Sequence, residues 1–402
     1  MTRRAVFPVV ALAAAACAPT GGAFTVGDVE FAAPSGSLAP NLALAGEVPM
    51  LTWLEPTDND RHALRVAVRT GGTWHVVGTP VENDSLFVNW ADFPSVTALP
   101  DGRMIAHWLQ KTAPHTYAYH VKLAISHDSG RTWGAPFVPH GDLSPTEHGF
   151  VALVPWEDGA GLIWLDGRNT KGAAEGDGHA AAGAMTLRFT TLDADGTPAP
   201  DIEVDGRICD CCQADLARTA DGLVAVYRDR SEEEIRDIGV ARLIDGAWSV
   251  PAKVADDGWY YPGCPVNGPA VAAHGNLVMV AWFTGANDTG RAYAAVSHDG
   301  GASFGERLRI DDGRPTGRTD IVFLDDRTAA VSWIEELEEG AEIRMRTVDA
   351  DGNVGRAHAV AVTSAARASG FPRLVSHAGE VVVAWTDAKD RRVRVATVHV
   401  AR

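Results

Sequence analysis

The chain has 402 residues, 46% of them hydrophobic, and a formal charge of −17. A chain of this length and composition can bury a sizeable core. Its acidity argues against a nucleic-acid partner, because phosphate binding needs a basic surface.

The N-terminus reads as a targeting segment. Arg3 and Arg4 precede an apolar run, Ala5 to Ala16, that is too short to span a bilayer comfortably. The run ends in Ala-Ala-Ala-Cys at Cys17 and is followed by a Pro/Gly-rich tether, 18–23. It resembles a bacterial lipoprotein signal, which implies lipidation of Cys17 and export to the periplasmic or cell-surface side of a membrane. An ordinary signal peptide cut near Ala18 is the alternative, and it too exports the chain. No other segment is long and apolar enough for a membrane helix. Contact with a membrane is therefore expected only through the lipid anchor. The expected organisation is 1–17 signal peptide, 18–23 tether and 24–402 a single domain.

A strand ending in an aromatic residue then recurs seven times, about every 50 to 65 residues, at Trp53, Trp108, Trp164, Tyr227, Trp282, Trp333 and Trp385. A fixed period of this size marks a radial or stacked repeat fold. Each copy follows an upstream strand and a tight turn, as in PSVTALPDGRMIAHW and PRLVSHAGEVVVAW, with DG, HGN, DD or AGE at the turn. A third strand with period-2 alternation follows a variable loop, for example YHVKLAIS and RVRVATVHV. Six modules turn again, through a Gly-containing hairpin, into a fourth strand. The seventh ends at its third, and Phe24 to Ala32 (FTVGDVEFA) can supply the missing one and close the ring. The expected fold is an all-β, seven-bladed β-propeller of four-stranded blades, with six blades as the alternative.

Two of the third-to-fourth turns are sharp: Ser126, Asp128, Gly130 and Trp133 in one, Ser297, Asp299, Gly301 and Phe304 in the other. The Asp can accept backbone N–H bonds, the Gly takes a positive φ, and the aromatic packs between sheets, so both turns read as scaffold. This S-x-D-x-G-x-T-W pattern resembles the BNR or Asp box of the sialidase superfamily. The resemblance implies a propeller whose site lies at the mouth opposite the Asp boxes. It also implies exo-acting hydrolysis of sialic acid or another acidic glycan, a reaction that needs no cofactor. The family's early R-I-P motif is absent, and a C-D-C-C cluster is foreign to it.

Strand direction leads to the same end. With strands alternating in direction, the loops between second and third strands and the connections between blades share the face opposite the Asp boxes. Long loops, where function concentrates, fall there: 165–184, 198–213 and 250–268. Arg168, Arg228, Arg230, Arg318 and Arg373, with Asn267, are the candidate substrate-binding residues. Guanidiniums converging there can bind a carboxylate through paired donors, while pairing with neighbouring acids is the structural alternative. Asp92, Glu147, Tyr260 and Tyr261 are the candidate catalytic residues. Glycosidases pair an acid with a nucleophile, and sialidases use a tyrosine assisted by a glutamate. Packing beside Trp259 is the alternative for the two tyrosines. Cys209, Cys211, Cys212 and Cys264 can form disulfides, or with His148 a soft-metal site for Cu or Zn, or remain free thiols. The competing function is a non-catalytic exported lipoprotein that binds such a metal, or a protein partner, through this mouth.

Overall fold

The computed structural model describes residues 24–171 and 183–400. The signal segment, the tether, Cys17 and part of the 165–184 loop lie outside the described residues. Seven antiparallel sheets hold the strands, and each of the seven aromatic-ended strands lies in a different one. The chain is a seven-bladed propeller, and the six-bladed alternative falls because none of the modules is decoration. Strands run consecutively outward within a blade; blade 1, for example, comprises Leu38–Ala45, Val48–Pro56, His62–Thr70 and Thr73–Asn83 in that order. Blade 2 has three strands, Ser95–Ala98, Met104–Lys111 and Tyr119–Ser126. A single antiparallel bridge from Leu123 to Phe137 stands where its fourth would be. In blade 4 the outer position is shared by Ala247–Trp248 and Ala252–Ala255.

The last blade closes the ring. Its inner strands are Arg373–His377, Glu380–Asp387 and Arg392–Val400, and its outer strand is Phe24–Ala32, paired Phe24 to Val400 and Ala32 to Arg394. The two ends of the described chain thus hydrogen-bond to each other. The last blade is thus not left one strand short at the seam.

The recurring tryptophan has a second half that becomes visible in space. Trp53, Trp108, Trp164, Trp282 and Trp333 are fully buried, and a buried indole N–H needs an acceptor. Four of them find it two residues on along the same strand. Trp53 donates to Glu55 at 2.8 Å, Trp108 to Gln110 at 3.3 Å, Trp164 to Asp166 at 2.8 Å and Trp333 to Glu335 at 2.6 Å. Trp282 reaches Asp257 instead, and Tyr227, in the place of tryptophan, donates its hydroxyl to Asp205. These acceptors hold the neighbouring chain in turn: Glu335 also accepts the backbone N–H groups of Asp312 and Arg314. In blade 6 the repeat therefore couples the core to the loop at its mouth, whereas the Trp385 indole N–H of the last blade has no partner among the described residues.

At the far end, the Asp boxes are networks of short bonds. Asp128 accepts from the Thr132 backbone and hydroxyl at 2.8 and 2.7 Å, and the Gly130 N–H donates to Ser126 at 2.8 Å. Asp299 repeats this with Ser303, and Gly301 with Ser297. The Thr132 bonds hold the Asp128 carboxyl at about 2. Both glycines sit at φ 85°, where a Cβ is unfavourable. Around the axis a different device recurs. Asp92, Asp215 and Asp320 each accept one backbone N–H from the innermost strand of the next blade, from Phe150, Val271 and Leu374 at 2.7 to 2.8 Å. Three carboxylates thus fasten blades 2 to 3, 4 to 5 and 6 to 7.

Trp333→Phe keeps the ring but strips Glu335 of one buried donor. Urea unfolding should show a loss of about 1–3 kcal/mol, with the native circular dichroism spectrum retained.

Candidate functional site

At the mouth opposite the Asp boxes, a cluster of acids and a phenol lies between blades 2 and 3. Glu147 ends the connection between these blades and Tyr119 opens the third strand of blade 2; a parallel bridge joins the two backbones. The Tyr119 hydroxyl donates to Glu147 Oε1 at 2.5 Å and lies 3.5 Å from Asp92 Oδ2. Tyr119 is buried and stacked on Phe87, with ring centroids 4.1 Å apart. Glu147 as a residue is half-buried, and its Oε2 has no hydrogen-bond partner among the described residues. The close approach depends on Gly149: a Cβ there would stand 2.2 Å from Asp92 Oδ2 and 2.9 Å from the Tyr119 ring.

This environment keeps protons on carboxyls. Burial raises Glu147 to about 8; the Tyr119 hydrogen bond opposes that, and the charges of Asp92 and Asp210 add to it. Burial likewise raises Asp92 to about 7 against the bonds from Phe150 and Tyr119. The Tyr119 phenol is pushed well above its ordinary value, first by burial and then by the Glu147 charge. At neutral pH Glu147 is therefore a proton donor backed by a neutral phenol. Asp92 is split between roles, with Oδ1 fastening blade 3 and Oδ2 facing Tyr119.

The arginines are each held by partners of their own. Arg228 donates Nε, Nη1 and Nη2 to the carbonyls of Asn267, Arg236 and Phe283 at 2.5 to 2.6 Å, beneath the ring of Trp259. Arg318 gives Nη1 and Nη2 to the carbonyls of Ala365, Ala366 and Gly370, and burial lowers it to about 10. Arg168 forks onto Asp166 with two bonds of 2.7 Å and reaches Asp201. Arg373 bonds Asn41 and lies 3.4 Å from Asp320. Asn267 accepts the Arg318 N–H and donates to Thr316. Arg230 pairs with Asp210, whose charge acts on Glu147, at 3.0 Å and with Glu234 at 2.7 Å.

Of the cysteines, Cys211 and Cys264 form a disulfide, while Cys209 and Cys212 are free and buried. His148 is apart from them. It stacks on His140 at 4.3 Å, faces His120 edge-on, and bonds Asp142 at 3.2 Å. Donor atoms of Asp142, His148 and Asp166 lie within 4.8 Å of one another, a spacing that can hold a metal ion. Lys171 and Arg168 already neutralise the two carboxylates. Tyr260 and Tyr261 are exposed on the rim, Tyr261 beside Trp259 at 5.3 Å, and neither hydroxyl bonds Glu147 or Asp92 among the described residues.

Sequence reasoning passed over Tyr119 and Asp210. Tyr119 had a signal: it starts the inward-facing row Tyr119, Val121, Leu123 at the mouth end of its strand, where a hydroxyl outlasts the hydrophobic pattern.

No known family profile matches the chain, and no curated protein matches it by sequence. Solved structures match its fold. The polysaccharide lyase Uly1 is 9% identical over 91% of this chain and 90% of its own, with a TM-score of 0.54. Hadza microbial sialidase Hz136 is 14% identical over 85% and 73%, at 0.48. An α-L-arabinanase of Penicillium chrysogenum is 14% identical over 93% and 98%, at 0.47. The closed ring makes the chain a seven-bladed β-propeller, and Uly1 shares the fold.

Stability should report the buried protons. Native Glu147 and Asp92 keep theirs to about 8 and about 7, whereas unfolded carboxyls lose them near 4.5 and 3.8. In that window the native chain binds more protons than the unfolded one, so stability is greatest below it and falls as pH rises through 7 to 8. Urea midpoints taken from about pH 5 to about pH 9 should decline, and Glu147→Gln should flatten the upper part of the decline.

Proposed function

We propose that the chain is a glycan-active propeller that cleaves a glycosidic bond, with Glu147 as general acid. The observation that carries this is the Tyr119–Glu147 pair, a half-buried carboxyl that is protonated at neutral pH and oriented from behind by a buried phenol. Glycoside hydrolysis needs one carboxyl to protonate the leaving oxygen and a second group to attack, or to activate water, at the anomeric carbon. Glu147 answers the first need. Asp210, on the next mouth loop, is our candidate for the second; its charge acts on Glu147 and it pairs with Arg230. Tyr119 is a positioning residue in this scheme, because its ring is sealed beneath Glu147. Its bond stabilises the ionised carboxylate, so it also brings the acid closer to the working pH.

Sialic acid is one substrate within this reading. The phenol–glutamate pair supports it, as does the Asp-box scaffold. A sugar carboxylate needs free guanidinium donors, however, and Arg228 and Arg318 give theirs to backbone carbonyls. That favours a neutral glycoside over a sialoside.

A panel of chromogenic sialosides, arabinosides, xylosides and uronides, assayed at high enzyme concentration, tests the proposal. Activity on one class is expected, with Glu147→Gln reducing kcat by about 10²- to 10⁴-fold while the fold is kept. No turnover across the panel and a set of natural polysaccharides would overturn it.

We also propose export and lipidation at Cys17, on the strength of the Arg3/Arg4 and Ala5–Ala16 pattern. Labelled palmitate should enter the chain in a bacterial host, and Cys17→Ser should abolish the label.

A further inference from the structure

The four cysteines beyond the N-terminal segment meet at one point of the mouth. The Cys211–Cys264 disulfide ties the connection before blade 4 to the one after it, with Cα atoms 6.0 Å apart. Both of its residues are half-buried. Just beneath, Cys209 and Cys212 are 1% and 2% exposed. Their Sγ atoms lie 2.7 Å apart, and Cys209 Sγ is 4.0 Å from Cys211 Sγ. A C-x-x-C spacing is thus hidden inside Cys209-Asp-Cys211-Cys212, and its two thiols sit against a disulfide.

The surroundings favour a thiolate. Arg236 is buried, and its Nη1 has no hydrogen-bond partner among the described residues. Against burial, the Cys209 S–H bond and the charges of Arg228 and Arg236 bring the Cys212 thiol below its ordinary value. Burial and the neighbouring Cys212 push Cys209 well above its own. When the pair gives up one proton, Cys212 is therefore the sulfur that becomes the thiolate and Cys209 the thiol that donates to it. A thiolate is the nucleophile of disulfide exchange, and lowering its pKa is what makes a cysteine reactive at neutral pH.

We propose that these four cysteines form a thiol–disulfide exchange site, in which the inner Cys209/Cys212 pair trades its electrons with the outer Cys211–Cys264 disulfide. Cys212 takes the Cys209 proton as Cys209 Sγ attacks Cys211 Sγ. The Cys211–Cys264 bond breaks, and Cys264 leaves as a thiolate. Cys212 then gives up its proton and attacks Cys209 Sγ. The Cys209–Cys211 bond breaks, and Cys211 leaves as a thiolate. The single proton of the inner pair ends on Cys264 or Cys211, and water protonates the other leaving thiolate. One disulfide is formed and one reduced, so no outside oxidant is consumed. The product is a buried Cys209–Cys212 disulfide and a half-exposed Cys211/Cys264 dithiol. That dithiol faces the surface, where it can reduce an external disulfide to two thiols and regain its own bond. The substrate class is a small-molecule or protein disulfide.

The test uses the whole chain as purified. It is equilibrated in dithiothreitol buffers of graded oxidised-to-reduced ratio, quenched in acid, and alkylated with one reagent before reduction and a second after it. Mass spectrometric fragmentation of the peptide between Arg207 and Arg218, and of the one holding Cys264, then assigns each sulfur. Chains with a single disulfide should divide between Cys211–Cys264 and Cys209–Cys212 pairings, and at the oxidising end both bonds should be present. Cys209→Ser should lose the inner pairing and keep the outer. The proposal is overturned if single-disulfide chains of the unsubstituted protein pair only Cys211 with Cys264 while Cys209 and Cys212 stay alkylatable at every ratio. It is equally overturned if a stoichiometric metal ion occupies Cys209 and Cys212 and prevents exchange. These readouts on the unsubstituted chain do not depend on any variant folding, or on glycosidase activity.

Discussion

The pairing of Phe24–Ala32 with Arg392–Val400 holds this molecule to its shape. Every other blade is built from a continuous stretch of chain, so its internal hydrogen bonds form over short loops. The last blade is the exception: it brings together residues from opposite ends of the domain and bears the loop-closure cost of the whole ring. What it secures is the curvature. Once the ring is shut, seven innermost strands face one axis, and the connections that enter them crowd a single mouth. The carboxylates of Asp92, Asp215 and Asp320 then bond across blade boundaries, a contact available only when adjacent blades have taken their final angle.

Within that frame the two ends of the ring use the same residue types for opposite purposes. At the Asp-box end, acids sit in shallow turns, accept several short bonds and stay ionised, which suits a staple. At the mouth, acids are pressed against one another and against apolar surface. Glu147 and Asp92 keep their protons there because burial disfavours the ionised carboxylate, and for Glu147 the neighbouring charges of Asp92 and Asp210 add to it. Gly149 makes this crowding feasible by leaving room for Asp92 and Tyr119 where a side chain would stand. The cysteines extend the logic to sulfur: burial opposes ionisation of both inner thiols, and the Cys209 S–H bond with the charges of Arg228 and Arg236 makes Cys212 the easier one to ionise.

The arginines show how a composition-level signal misleads. Five of them mark the mouth loops, and their number suggests a carboxylate receptor. Loops that run over a propeller's end, however, carry many backbone carbonyls with no strand partner. Arg228 and Arg318 satisfy such carbonyls, and doing so shapes the mouth without presenting charge to a ligand. Arg168 and Arg230 are matched by acids that are near in sequence, Asp166 and Glu234.

Blade count, strand order and the scaffold role of the Asp-box turns were legible in the amino-acid sequence. They follow from local rules: the period of the aromatic strand, two-residue alternation, and turn chemistry, which act over a few residues and leave a mark at each repeat. The acceptor two residues after Trp53, Trp164 and Trp333 was written there too, once its role was known. The pairing of Tyr119 with Glu147 was not legible, nor was the choice of Cys211 for Cys264, nor the separation of His148 from the cysteines. Those depend on which side chains meet after separate blades have closed around an axis. Distances between loops of different blades are set by that closure, and no spacing along the chain encodes them.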